Sequence, residues 1–473
     1  MPGSINLYNT GKSALFANRA SLATTGHNIA NVNTDGYSRQ RVEQTAHPSQ
    51  QIGATVYGTG VNIKNIKRIN DEYITRQIGK ESKFLGQYEE KNAALTQAEI
   101  IFNEIQNEGM NRLITKFFNE FRKLGNEPES QALRATVKEA ASQLTGDFHR
   151  VSRSLREIQN NLNVRIDANV RQTNELVERI AHLNEKVKQQ EIHGSEAPDL
   201  RDKRDLAIRT LSEIIDVNVS TNERGELTIG LAGVGPLVSG VLINKLFLES
   251  SPADPETGKP EGGTSVLLEN SAQPNITQRL VNGRLGGLIE ARDKIIGQSA
   301  NQVDELAFNF ANKINEIHRQ GFSINGKTGV DFFKPLSQQY AASEQISLGS
   351  MIEQDSNNIA TAIAPDSPGD NRLIQMLAKV QHQKIMGSGQ STFDEHYNST
   401  VASLATVTQK NKEVLEHQKH IVGQLDKFRE SISGVSLDEE TTNLVQFQHA
   451  FDASAKVIKV ADEVLETILS LRK

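Results

Sequence analysis

The chain has 473 residues, more than one core usually fills, so two to four domains are expected. Its 52 basic and 58 acidic side chains leave a net charge of -6, without the basic excess that phosphate-backbone binding needs, which argues against nucleic acid as a partner. Cysteine is absent, excluding disulfides, thiolate metal sites and cysteine nucleophiles, and 37% hydrophobic with 5% aromatic residues suits long helices in thin layers better than a compact enzyme.

The chain opens on MPGSINLYNTGKSALFANRASL, which lacks the layout of a cleaved signal peptide. No run of 18 apolar residues occurs, so the expectation is no membrane span, and either a cytoplasmic protein or one exported without a cleaved signal. Tyr8, Leu15, Leu22 and Ile29 repeat at seven, with small Gly11, Ala14 and Ala17 between them. Such a stripe permits close approach of another helix, but its Gly, Ser, Thr and Asn content gives poor helix propensity, so it needs a partner. In TTGHNIANVNTDGYSRQRVE, Asn28, Asn31, Asn33 and Asp35-Gly36 stop helices and tolerate left-handed dihedrals, which predicts a corner. Alternation at Val56, Val61, Ile63 and Ile66 then predicts an extended arm, completing a first domain over residues 1–70.

Residues 71–215 read as long helices with few breakers, interrupted by the Gly125 to Pro128 turn and the HGSEAP loop at His193. From Asp216 the pattern changes to short runs, VNVST, ELTIGL, PLVSGVLINKLFL and SVLLE, separated by NERG, AGVG and SPADPETGKPEGG, which predicts a small β-rich outer insertion over 216–280. Helices resume over 281–435, from about Gly283 to Gln320 and about Asn371 to Ser431, around the turn GFSINGKTG. The expected class is mainly α: an elongated multi-domain protein with terminal coiled-coil helices, a helical-bundle domain built from both halves, and the β insertion farthest from the ends.

The last segment, 436–473, carries a sustained heptad. Leu437, Leu444, Phe451, Ile458 and Leu465 form one series, and Phe447, Ser454, Ala461 and Ile468 a second, the layout of a coiled-coil seam. Ser436 with Glu439 reads as a capping box at its start. Residues 1–48 hold four basic and two acidic side chains, and residues 436–473 hold four and seven, so charge complementarity favours pairing the two ends.

No catalytic or cofactor constellation emerges, and the reading is a non-enzyme without metal. GRLGG at Gly283 to Gly287 has no following Lys-Ser/Thr and is explained by a helix start. His417 and His420 lack an obvious third ligand. Asp438, Glu439 and Glu440 are adjacent in a first helical turn, where they suit the helix dipole and do not face one another as an acid pair.

NIANVNTDGYSRQ resembles the N-terminal signature of the bacterial flagellar rod, hook and hook-associated axial family, on Ala30, Asn31, Thr34, Gly36, Tyr37 and Arg39. VSLDEETTNLVQFQHAFDASAKVIKVADEVLETIL resembles the same family's C-terminal signature. PDLRDKRDLAIRTLSEIIDVNV, RQGFSINGKTGVDFF and PGDNRLIQMLAKVQ resemble segments of its hook-associated branch at the hook-filament junction, whereas rod and hook proteins have β-rich middles. The resemblance implies a structural subunit exported through the flagellar type III apparatus. It also implies an export chaperone on the C-terminal helix, and self-association in a ring between the hook protein and the second junction protein. Under it, Gly36 and Tyr37 set the corner. The assembly interface falls on Leu15, Leu22 and Ile29 with Leu437, Leu444, Phe447, Phe451, Ile458, Leu465 and Ile468. The alternatives are a distal rod or hook subunit, or a peptidoglycan-active enzyme on a rod-type framework. Weak propensity and a thin seam give one further expectation, that the terminal forty or so residues are disordered in the free subunit.

Overall fold

The computed structural model describes residues 2–52, 55–102, 109–192, 194–221, 227–250 and 263–470. Helix α1 (Pro2–Ala30) leads into strands β1 (Gln40–Ala46), β2 (Gln50–Ile52), β3 (Thr55–Tyr57) and β4 (Val61–Arg68). Four helices follow: α2 (Glu72–Phe102), α3 (Met110–Asn126), α4 (Gln131–Glu191) and α5 (Pro198–Ile214). Then come β5 (Val217–Thr221), β6 (Leu227–Leu231), β7 (Gly235–Ser239), β8 (Leu242–Ile243), β9 (Leu246–Ser250) and β10 (Thr264–Leu268). Helix α6 (Gly283–Glu290) passes through a π-helical segment, Ala291–Ile296, into α7 (Gly297–His318). The remainder comprises β11 (Phe322–Ser323), α8 (Ala342–Gln345), α9 (Ser350–Gln354), β12 (Ala360–Ala362), α10 (Arg372–Val380), α11 (Phe393–Ser433) and α12 (Leu437–Ser470). The fold is mainly helical, with a few small antiparallel sheets. Among the described residues no helix is long and apolar enough to cross a membrane.

The described chain forms two compact units. The first holds residues 1–85, 172–245 and 418–473, and so contains both terminal helices. In it β1 pairs antiparallel with β4, with a bulge at Glu43/Gln44, and β2 pairs with β3. Strands β5 to β8 make a four-stranded antiparallel meander. Leu227, Ile229 and Leu231 of β6 are buried in alternation, the period-2 pattern of a half-buried strand. Asn184 of α4 donates to the Gly240 carbonyl at 2.9 Å and anchors this sheet to its helix.

The second unit holds residues 86–171 and 246–417. Its core gathers much of the chain's scarce aromatic content: Phe117, Phe118 and Phe121 of α3, Phe310 of α7, Phe332, Phe333 and Phe393 have neighbouring ring centroids 4.9 to 6.0 Å apart. Phe rings bury large areas and prefer such offset or edge contacts. Gly287, inside α6, lies against the backbone of Gln87, where a side chain would collide, so GRLGG serves close packing.

The strands expected as one β insertion belong to both units, β5 to β8 to the first and β9 with β10 to the second. Local alternation identifies strands but carries no information on which helices cover them, which accounts for the difference. The NERG turn, His193 and most of SPADPETGKPEGG lie outside the described residues.

Candidate functional site at the corner of the terminal helices

Helix α1 stops at Ala30, where the polar side chains that follow bond back onto its last turn and to one another. Asn31 Nδ2 donates to the His27 carbonyl at 3.0 Å, and Thr34 Oγ1 donates to Asn31 Oδ1 at 3.1 Å. Gly36 follows at φ 77°, a left-handed conformation that costs other residues about 1 to 2 kcal/mol. A side chain there would also press on Leu206 of α5, 3.2 Å away. The chain thereby reverses and enters β1.

Asn28, buried in the last turn of α1, fills its amide completely. Its Oδ1 accepts from the Tyr37 hydroxyl at 2.8 Å and from the Gln40 N–H at 2.9 Å. Its Nδ2 donates to the Gln40 carbonyl at 2.9 Å and to Glu440 Oε2 at 3.0 Å. Arg39 completes the joint: Nε donates to Glu440 Oε1 and Nη1 to Glu439 Oε2, both at 2.7 Å, while its backbone N–H donates to the Ser433 carbonyl. Glu440 is buried, and a buried carboxylate persists only where charge and hydrogen bonds replace its water.

Helix α5 braces the outer side. Asp202 accepts from the Ser38 N–H at 2.8 Å, from Ser38 Oγ at 2.9 Å and from Arg68 Nη1 at 2.9 Å. Arg68 also donates to Asp205 at 2.6 Å. Gln40 Nε2 donates to Asp199 at 2.6 Å, and His27 Nε2 lies 3.3 Å from the same carboxylate. Burial pushes the Tyr37 hydroxyl pKa up, reinforced by Asp199, Asp202 and Glu440, so the hydroxyl stays a donor. Burial works against the charge of Arg68, but Asp205 and Asp202 hold its pKa above the ordinary range.

From the corner, α1 and α12 run antiparallel. Asn28 meets Glu440, Asn18 Nδ2 donates to Ser454 Oγ at 3.1 Å, and Gly11 sits against Ile458 and Val457. The buried side of α1 is small and polar: Gly11, Ala17, Ser21, Thr24, Thr25 and Asn28. Leu15, Leu22 and Ile29 are half-buried, as are Leu444, Phe447, Phe451, Ile458, Leu465 and Ile468. On α12 the fully buried positions are Ala461, Ser454 and Glu440. Leu437 heads the apolar heptad yet is 48% exposed, and the first buried seam position is Glu440, seven before Phe447. Its charge concealed it in the sequence, while its spacing marked it. The capping box is half made: Ser436 Oγ accepts from the Glu439 N–H at 3.5 Å, but Glu439 turns its carboxylate to Arg39, a stronger charge-assisted bond. Of the signature residues, Ala30 and Thr34 are exposed, while Asn31, Gly36, Tyr37 and Arg39 build the corner. His417 and His420 are exposed on α11, and among the described residues no three His, Asp or Glu side chains gather as a metal site.

Known families match the chain in three places. The helical domain of flagellar hook-associated protein FlgK matches residues 95–333, flagella basal body rod protein residues 9–37, and the C-terminal part of flagellar basal body rod FlgEFG protein residues 430–471. Flagellar hook-associated protein 1 of Bacillus subtilis strain 168 is 30% identical, covering 98% of this chain and 97% of its own. The Escherichia coli K12 protein of the same name is 26% identical, over 99% and 100%. The structure of the flagellar hook junction protein FlgK from Burkholderia pseudomallei has a similar fold, with a TM-score of 0.66 at 15% identity over 76% of this chain and 100% of that one. The two rod-type matches are the two ends that the corner joins through Asn28, Arg39 and Glu440. The chain belongs to the flagellar hook-associated protein 1 family.

Proposed function

We propose that this chain is a structural subunit of the bacterial flagellum, working outside the cell at the junction between hook and filament, and that the paired helices α1 and α12 are its assembly element. The observation that carries the reading is the corner itself, in which the two rod-type ends form one bonded structure around Asn28, Arg39 and Glu440. The pair leaves apolar side chains uncovered for neighbours: Leu7 and Phe16 on α1, and Val445, Val457, Val460 and Val464 on α12. Its neighbours are the hook protein on one side and the second junction protein on the other, with further copies of the chain completing a ring. An export chaperone covers α12 before assembly. The subunit acts by binding rather than catalysis, and the corner's carboxylates Asp202, Glu439 and Glu440 are each committed to an arginine.

The test is electron microscopy of cells deleted for the gene, with an assay for flagellin in the medium. Hooks without filaments and shed flagellin are expected. Missing hooks would move the subunit into the rod or hook, and normal filaments would end the proposal. In cells carrying Phe451→Asp, filaments are expected to be lost, because a carboxylate enters the half-buried seam.

A further inference from the structure

The apolar pattern of the α1–α12 seam does not specify one register. Leu444, Phe451, Ile458 and Leu465 repeat every seven residues, and the facing side of α1 is small along its length, from Gly11 through Ala17 and Ser21 to Thr25. Sliding one helix by a heptad, about 10 Å along the axis, brings Phe451 or Leu465 in place of Ile458 against Gly11, so a large apolar side chain still meets a small residue there. The polar contacts do not repeat. Among the described residues, Asn28 with Glu440 and Asn18 with Ser454 are the two rungs that hydrogen-bond across the seam, and Arg39 fixes the first from the side. A one-heptad shift brings Asn28 opposite Phe447, or Asn18 opposite Ala461 or Phe447, and takes Glu440 away from both Asn28 and Arg39. Amides and a carboxylate left unpaired in a seam are penalised far more than an imperfect apolar contact.

We infer that the Asn28–Glu440–Arg39 and Asn18–Ser454 rungs select the register of the terminal helix pair, in the manner of a buried polar residue in a coiled coil. Glu440 is thus a specificity-determining residue for how the two ends align. The rungs also place the corner, since Asn28 bonds Tyr37 and Gln40 as well as Glu440. A competing device is the short 434–436 link between α11 and α12, whose first residue is held to the last turn of α11 by the Gly434 N–H donating to the Glu430 carbonyl at 2.8 Å. Register belongs to the helix pair alone, so it can be measured whichever neighbours the assembled subunit meets.

The chain contains no cysteine, so an introduced pair is the only one present. A Cβ on Gly11 would fall 2.9 Å from Ile458 Cγ1, close enough for a disulfide when both positions are cysteine. In the full-length protein, Gly11→Cys with Ile458→Cys reports the native register. Gly11→Cys with Phe451→Cys or with Leu465→Cys reports a slip in either direction. With the rungs intact, crosslinking is expected in the first combination and only weakly in the others. In the Asn18→Leu, Asn28→Leu, Glu440→Leu background the slipped crosslinks are expected to rise by about tenfold or more. In Glu440→Gln, which keeps an acceptor for Asn28, the register is expected to stay native. Crosslinking that remains confined to 11 and 458 in the leucine background would overturn the inference and assign register to the 434–436 link. Loss of crosslinks in all three combinations, with loss of helical circular dichroism, would also overturn it, because the rungs would then hold the helices together rather than choose their alignment.

Discussion

Arg39 and Glu440 are 401 positions apart in sequence and 2.7 Å apart in space. One side of this pair is 2% exposed and the other 22%, so removing the arginine strands a buried carboxylate, at a cost of about 3 to 5 kcal/mol. Arg39→Ala is expected to loosen α12 from α1, seen as faster hydrogen exchange and proteolysis in residues 437–470, with residues 86–171 unaffected. Unchanged protection of α12 would show that the pair is dispensable.

Asn28→Asp keeps the shape and the acceptor but removes both Nδ2 donations, and it sets a second carboxylate within hydrogen-bond distance of Glu440. Loss of motility is expected at neutral pH. Asn28→Asp combined with Glu440→Gln is expected to regain part of it, because one of the two like charges is gone.

Gly36→Val is expected to cost about 2 kcal/mol or more, combining left-handed strain with contact against Leu206. Gly36→Asn, which tolerates the left-handed region, is expected to cost less in the same thermal melt. Equal losses for the two would mean that the Leu206 contact, rather than φ, decides this position.

His318, at the end of α7, is fully buried, with Nδ1 donating to the Val330 carbonyl at 2.7 Å and Nε2 accepting from the Ala360 N–H at 2.8 Å. Burial holds its pKa down at about 4 against an ordinary 6.5. The unfolded chain therefore binds the proton first. The contribution of neutral His318 is complete above about pH 6.5 and is lost as pH falls towards 4, a loss of about 3 kcal/mol in all. Denaturant titrations at pH 7.5, 5.5 and 4 measure this, and His318→Gln is expected to flatten the difference while lowering stability at pH 7.5.

The helical class was legible because periodicity is local: the 3.6-residue pattern over α4 and the period-2 pattern over β6 need no knowledge of partners. The corner was legible only as a turn. Asn28 reads as a helix stop, and nothing local reveals that its amide bonds four groups drawn from β1, Tyr37 and α12. Glu440 reads as a complement to a helix dipole, and its burial follows from Arg39 and Asn28 at the other end of the chain. Asp202 and Arg68 escape notice for the same reason, since their pairing depends on α5 lying beside β4. In α1 the large side chains draw the eye, yet the buried face carries Gly11, Ala17 and Ser21, because a partner helix that comes close leaves room only for small residues.

The antiparallel seam has a consequence for how the polypeptide is made. Helix α1 emerges long before α12, has poor intrinsic propensity, and finds its partner only in that later segment. Closing a loop of 401 positions adds only slowly to the entropic cost, but it cannot happen before the far strand of the seam exists. A chain broken off anywhere ahead of Glu440 leaves Asn28 Nδ2 and Arg39 Nε without their Glu440 acceptor and the small face of α1 without α12. The seam therefore tests for α12: a subunit truncated ahead of that helix lacks the partner that packs the small face of α1, and only a chain that carries both helices presents them as a pair.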